Sequence, residues 1–300
     1  MSTPETPSPE NAPPPTSEPA PAPATKLDDA NDLRGHHLKR LMRKKTTWAL
    51  VLGLTIVAGA AFAVLASPAA GGIAAGIVAV ISLLVVFFMA DSAAGDDFFE
   101  FYAQQRGMIA SSDRGRLPGA TPLLRKGDDR YTERSLLGPL AEGIEGTVAL
   151  YTYEEETRDS KGNKQTSYYH YTVGLVEVPE CAARIPELYC QRKFGFRALE
   201  KFEDVFRGSK DRVKLESEVL DDKYEIFADE KQDANWLRQL FSPTFIVWLT
   251  DSAPEKFAFE LVDGTLCCYV NGHKESTAEL DEIRAASAAV VTRLREEAAE

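Results

Sequence analysis

Histidines and cysteines are the residues whose chemistry could most directly mark a site in this chain. The sequence holds four of each: His36, His37, His170, His273, Cys181, Cys190, Cys267 and Cys268. Structural metal sites usually present Cys-x-x-Cys pairs or histidines a few residues apart in a repeated pattern, and neither spacing occurs here. We therefore predict no metal site, no cofactor-binding residue, and cysteines that are buried or half-buried free thiols.

Side chains suited to acid–base catalysis are present but poorly arranged for it. Glu154, Glu155 and Glu156 follow one another in a predicted strand, where neighbours point to opposite faces. His170 stands among tyrosines, which is typical of a packed or surface strand histidine. The loop 159–163 lacks the alternating acidic ligands of a calcium loop. We identify no catalytic residue and favour a protein that is not an enzyme, with an enzyme carrying an unrecognised site as the alternative.

The charge balance limits the classes of ligand. The formal net charge is −12, and nucleic-acid binding depends on neutralising phosphates with lysine and arginine. We therefore predict no nucleic-acid partner. No glycine-rich phosphate loop and no nucleophile elbow occurs in the sequence, so no small-molecule substrate is identifiable.

Two basic stretches are candidates for contact with anionic lipid headgroups. One precedes a long apolar segment, and the other is residues 192–214, which carry eight Lys/Arg and four Asp/Glu among phenylalanines. The candidate contacts are Lys39, Arg40, Arg43, Lys44, Lys45, Lys193, Arg197 and Lys201. For the second stretch we favour a simpler interpretation, in which the phenylalanines are core and the cations form a solvated face.

The long apolar segment, residues 46–90, contains no Asp, Glu, Lys or Arg. About 20 apolar residues in a helix span a bilayer. The segment 47–90 therefore predicts a transmembrane helical hairpin with spans 47–66 and 73–90, joined by a Pro-Gly turn. A buried hairpin in a soluble core and a cleaved signal peptide are the disfavoured alternatives.

The flanking charges predict the orientation of that hairpin. Basic residues stay on the cytoplasmic side of a membrane, and they cluster before the first span. We expect a multi-pass protein of the cell inner membrane, with both termini cytoplasmic and the lipid bilayer as its partner.

The rest of the chain is organised around the hairpin. Residues 1–25 contain nine prolines and predict a disordered tail, and 26–46 form a basic juxtamembrane segment. Residues 91–129 predict a connecting helix and linker, and 130–300 a cytoplasmic domain.

That domain alternates strand and helix patterns. Gly146–Glu156 and Thr166–Val178 predict one hairpin, and Phe257–Val262 and Thr265–Val270 predict another across Asp263-Gly264. An amphipathic helix follows from Ser276. We therefore predict an α+β fold, a two-helix transmembrane hairpin followed by a mixed, mainly antiparallel sheet with packed helices and a C-terminal amphipathic helix.

One region carries a pattern formed by Leu215-Glu216-Ser217, Tyr224–Ala228, Asp229, Trp236–Leu240 and Ser242-Pro243. This pattern resembles an uncharacterised bacterial family of membrane-anchored proteins, which have two transmembrane spans and a cytoplasmic domain of unknown function. The resemblance implies a membrane-anchored module and brings no catalytic residue with it.

Together these observations favour a membrane-anchored cytoplasmic binding or scaffold module with a protein partner of unknown identity. The alternatives are a membrane-anchored enzyme with an unrecognised active site, and an anionic-lipid sensor that uses residues 192–214.

Overall fold

The computed structural model describes residues 45–65, 67–160, 162–193, 210–229 and 231–299. The helices are α1 (Lys45–Leu65), α2 (Pro68–Gln105), α3 (Pro122–Arg125), α4 (Glu218–Lys223), α5 (Ala234–Leu240), α6 (Pro243–Val247) and α7 (Thr277–Ala299). The strands are β1 (Ile109–Ser111), β2 (Asp129–Ala141), β3 (Ile144–Arg158), β4 (Lys164–Glu177), β5 (Glu187–Arg192), β6 (Lys210–Val213), β7 (Tyr224–Asp229), β8 (Ala258–Val262) and β9 (Thr265–Asn271). A 3₁₀ turn covers Pro179–Cys181, and a π-helical turn covers Trp248–Ser252.

All nine strands form one antiparallel sheet in the order β1-β2-β3-β4-β9-β8-β5-β7-β6. Two-residue turns join β2 to β3 and β8 to β9. Between β8 and β9, Asp263 and Gly264 both have positive φ, at 47° and 80°, which matches the right-handed twist of the flanking strands. The predicted hairpin across Asp263-Gly264 is confirmed.

One face of the sheet carries the main core. The apolar stripe of α7 packs there, with Leu280, Ile283 and Leu294 buried. Gly174 on β4 permits the close approach, because a Cβ atom at this position would collide with Ser287 Oγ of α7. Each large apolar side chain buried in this way contributes about 1.5–3 kcal/mol.

The C-terminal half of α2 belongs to the same core. Its buried residues are Ala94, Phe98, Phe99, Tyr102 and Ala103. Arg106 and Tyr102 both hydrogen-bond to Asp281 on α7, so α2 is joined to the sheet and to α7 along one side.

The opposite face of the sheet is covered in part by α3. Leu123 and Leu124 are fully buried against Tyr151, Tyr153 and Val173. The N–H of Leu123 donates to Glu260 Oε2 at 2.9 Å, which ties this short helix to β8.

The helices α1 and α2 overturn the predicted membrane hairpin. Across the described residues, no helix combines the length and the apolar composition needed to span a bilayer. The predicted span 73–90 is not a separate element. It belongs to α2, which begins at Pro68 and continues through Asp96, Asp97 and Glu100 into the folded domain.

The transmembrane part of the fold prediction is therefore wrong, as are the membrane character and the multi-pass inner-membrane location predicted from it. The sheet and its packed helices are the part of the architecture that the structure does show. Large apolar side chains on α1 and α2 remain exposed, Val64 by 87% and Leu65 by 84%.

Candidate metal centre

A β-bulge on β2 places the first side chain of the site. Thr132 pairs with Tyr151 and Arg134 pairs with Leu150, so Glu133 is an extra residue with no partner of its own in the ladder. Bulges re-aim side chains and recur next to functional sites. Here the bulge directs the Glu133 carboxylate toward β3, where Thr152 Oγ1 lies 3.3 Å from Glu133 Oε1.

The pairing of β3 with β4 supplies the second side chain. Thr152 and His170 are direct cross-strand partners, and the side chains of such partners lie on the same face of the sheet. Thr152 Oγ1 is 2.9 Å from His170 Nδ1. His170 is exposed, whereas Thr152 is fully buried.

A left-handed glycine after β9 positions the third side chain. Gly272 has φ of 82°, a conformation that glycine adopts without steric cost. Its N–H donates to the carbonyl of His170 at 2.8 Å, and the N–H of Lys274 donates to Thr172 Oγ1 at 2.8 Å. These two bonds fix the intervening His273 over β3 and β4.

Glu133, His170 and His273 thereby form one cluster, which we call the metal centre. One donor atom from each residue lies within 4.8 Å of the donor atoms of the other two. The imidazole rings are 4.7 Å apart at an angle of 66°. The side chain of His273 is 15% exposed and that of Glu133 is 38% exposed, so the cluster is open to solvent on one side.

The hydrogen-bond geometry of His273 shows why a cation suits this cluster. Its Nε2 lies 3.3 Å from the carbonyl oxygen of Tyr151, which can only accept, so Nε2 carries the ring hydrogen. In the neutral ring Nδ1 then bears a lone pair, and it faces Glu133 Oε2 at 3.7 Å. A cation between these two electron-rich atoms would offset the repulsion between them.

Burial favours the neutral form of this ring. It lowers the pKa of His273, and the nearby Glu133 carboxylate and Tyr151 carbonyl only partly oppose that effect. A neutral imidazole is the form that ligates metals. Its bond to a backbone carbonyl through the other nitrogen is the usual way in which a metal-ligating histidine is oriented.

The distances are close to those of a metal site. With metal–ligand bonds of about 2.0–2.1 Å, the donors of a tetrahedral zinc site are about 3.3 Å apart. The His273–Glu133 separation of 3.7 Å exceeds this by a few tenths of an ångström. The donor atoms of the cluster lie within 4.8 Å of one another, so tetrahedral spacing requires a movement of at most about 1.5 Å, for which the exposed side chain of His170 has room.

Nucleophilic catalysis is a second chemistry for the same atoms, and it fits them less well. Thr152, His273 and Glu133 stand in the order of a nucleophile, a base and an orienting carboxylate, with Thr152 Oγ1 3.3 Å from His273 Nε2. However, Thr152 has no exposed surface, so its hydroxyl cannot reach a substrate carbonyl. The arrangement therefore supports ligation of a metal and not nucleophilic attack.

Sequence reasoning did not bring these three residues together, because the two histidines are far apart in the chain. Only the pairing of β4 with β9, in which Tyr171 lies opposite Asn271, brings His170 and His273 together. The signal in the sequence was the Asn271-Gly272 turn directly before a histidine.

Most of the candidate lipid contacts are not among the residues that the structure describes. Lys39, Arg40, Arg43, Lys44, Arg197 and Lys201 fall outside the described residues, and Lys45 is the first residue of α1. The Lys193 ammonium donates to the carbonyl of Asp221. Lipid contact by these residues stays a prediction.

Comparison with known proteins does not identify a family for this chain. No family model and no curated protein matches the chain. A solved structure, the crystal structure of the mycobacterial trehalose monomycolate transport factor A, TtfA, is similar at a TM-score of 0.40 and 9% sequence identity. The match covers 68% of this chain and 93% of that chain. A likeness at this level carries no argument about function, and membership of the uncharacterised bacterial family stays a prediction.

Proposed function

We propose that this chain is a binding module that holds a divalent transition-metal ion through Glu133, His170 and His273. The observation that carries the proposal is the convergence of one carboxylate and two imidazoles, from three separate elements, within 4.8 Å. Imidazole and carboxylate together suit zinc and its first-row neighbours better than calcium or magnesium, which prefer oxygen ligands alone.

A binding role fits the surroundings of the metal centre better than catalysis does. Sites with two histidines and one carboxylate keep an open position for water, and in enzymes this position faces a cleft. A cleft beside α7 is lined by Pro254, Glu255, Val270, Lys274, Glu279, Glu282 and Ile283, and the three ligands do not line it. Because His170 is exposed and the side chain of Glu133 is 38% exposed, the ion would sit on an open sheet surface, where it fixes the bulge of β2 to the turn after β9.

Isothermal titration of the full chain with zinc, after removal of bound metal by a chelator, tests the proposal. We expect one site per chain. Glu133→Gln, His170→Ala and His273→Ala should each weaken binding by at least about tenfold, since each removes one of three protein ligands. Cobalt substitution gives a second readout, because its visible absorption reports the coordination geometry directly.

The matched control is the double substitution His36→Ala with His37→Ala, which removes the two histidines outside the metal centre. It should leave the affinity and the cobalt spectrum unchanged. Binding that survives His170→Ala and His273→Ala but disappears in the control variant would refute the assignment, as would the absence of zinc binding by the wild-type chain.

A further inference from the structure

Arg134, the residue after the metal ligand Glu133, holds helix α2 against the sheet. Its Nε donates to Asp96 Oδ1 at 3.0 Å, and its Nη2 donates to the carbonyl of Ser92 at 3.2 Å. The guanidinium also lies 5.7 Å from the centre of the Phe99 ring. With 13% of its side chain exposed, Arg134 is a half-buried anchor of the C-terminal half of α2.

The Arg134 guanidinium also lies near the segment that carries His273, another of the proposed ligands. Its Nη1 lies 3.9 Å from Glu275 Oε1, and Glu275 follows His273 by two residues. Arg134 therefore contacts the loop that carries His273, and it directly follows Glu133 in the chain. We expect a movement of either ligand to shift Arg134 relative to α2.

Gly95 on α2 makes room for this contact. A Cβ atom at Gly95 would lie 2.5 Å from Nη2 of Arg134 and 2.6 Å from its Cζ, far inside van der Waals contact. Any side chain at this position displaces the guanidinium from α2. Glycine in a helix interior is unfavourable by about 1 kcal/mol relative to alanine, so its place here is explained by the close approach of Arg134.

We propose that Arg134 is a positioning residue that couples ion binding at the metal centre to the docking of α2. The inference rests on the proposed function. When the ion draws Glu133 toward His273 by a few tenths of an ångström, from 3.7 Å to the spacing of zinc ligands, the bulge moves with it, and the adjacent Arg134 is set in the position that holds Asp96 and Ser92. Without the ion the bulge relaxes, and the segment of α2 that includes Ala94, Phe98 and Phe99 is held less firmly.

Coupling between ion binding and the docking of α2 is reciprocal, so the effect of each on the other can be measured. In the full chain, zinc should slow amide hydrogen exchange over residues 92–103 by about fivefold or more, the lower end of typical coupling. Gly95→Ala should weaken zinc affinity by a similar factor although it alters no ligand. Because alanine favours the helix, that loss could not come from a lower helix propensity of α2.

Gly76→Ala is the matched control, since Gly76 lies on the same helix and a Cβ there meets nothing within 4 Å. It should leave both readouts at wild-type values. Arg134→Lys is the second variant should Gly95→Ala fail to fold, because lysine keeps the charge but cannot hold Asp96, Ser92 and Glu275 together.

The outcomes separate the two proposals. If the wild-type chain does not bind zinc, the proposed function fails and the coupling with it. If the wild-type chain binds zinc but exchange over residues 92–103 does not respond, or if Gly95→Ala binds zinc as Gly76→Ala does, the proposed function stands and the coupling through Arg134 is wrong.

Discussion

The hydroxyl of Thr152 lies 2.9 Å from Nδ1 of His170, directly across the β3–β4 pair and beneath the surface of the sheet. The same oxygen is 3.3 Å from His273 Nε2 and 3.3 Å from Glu133 Oε1. A single buried hydroxyl thus contacts all three proposed ligands. A hydroxyl has one hydrogen to donate and two lone pairs to accept with, which is enough to orient the three side chains before an ion arrives.

Thr152→Val should therefore weaken metal binding without unfolding the domain. Valine keeps the β-branched shape that suits a strand but removes the hydroxyl. Loss of an orienting partner typically costs about 10–100-fold in metal affinity. The measurement is zinc titration of the variant, together with its thermal unfolding midpoint.

Thr147→Val on the same strand is the control for that substitution. Thr147 lies on β3 and pairs with Leu137 and Leu175, away from the metal centre. Its substitution should leave zinc affinity unchanged. Equal affinities for the two variants would show that the Thr152 hydroxyl does not orient the ligands.

The features that the sequence predicted correctly depend on residues that are close together in the chain. The strands around Asp263-Gly264 were predictable because alternation and turn chemistry act over a few residues. The bulge at Glu133 and the pairing of β4 with β9 were not, because both depend on contacts between segments that are distant in sequence. The absence of charged residues from 46–90 predicted a transmembrane helical hairpin. It could not reveal that α2 continues to Gln105 and packs in the core.

Gly272→Ala should weaken metal binding through backbone strain alone. The φ of 82° at Gly272 costs an alanine about 1–2 kcal/mol, and a Cβ there meets nothing within 4 Å, so no collision adds to the effect. Relief of the strain rotates the following residue, His273, away from Glu133. We expect a lower unfolding midpoint and weaker zinc binding.

Gly143→Ala separates these two effects. Gly143 also has a positive φ, 70°, and open space around its Cβ position, but it lies in the turn between β2 and β3. This variant should lose a similar amount of stability and keep its zinc affinity. Unchanged zinc affinity in Gly272→Ala would argue against His273 as a ligand held by this turn.

Gly174→Ala should destabilise the packing of α7 on the sheet. The new methyl group collides with Ser287 Oγ, and overpacking of this kind typically costs about 1–3 kcal/mol. Addition of Ser287→Ala should recover part of the loss, because the nearest remaining atom is Ser287 Cβ at 3.2 Å. Urea unfolding of both single variants and the double variant measures the interaction energy, and strictly additive effects would contradict the proposed collision.

Glu260→Gln should change how stability depends on pH. Glu260 is fully buried on β8, and burial raises its pKa, although the bond from the Leu123 N–H opposes the shift. The folded state therefore holds the proton more tightly than the unfolded chain does. This contribution to stability is fully present below the unfolded pKa of about 4.3, and it is lost as pH rises through the folded pKa.

Glutamine remains neutral at every pH and can still accept from Leu123, so it escapes this loss. The free energy of unfolding of Glu260→Gln, minus that of the wild type, should increase from about pH 4.3 up to the folded pKa and stay level above it. Urea unfolding at a series of pH values measures this difference. Exposed Glu142 provides the control, since Glu142→Gln makes the same substitution at a surface position. A difference that falls as pH rises would mean that the Leu123 N–H stabilises the Glu260 carboxylate by more than burial destabilises it.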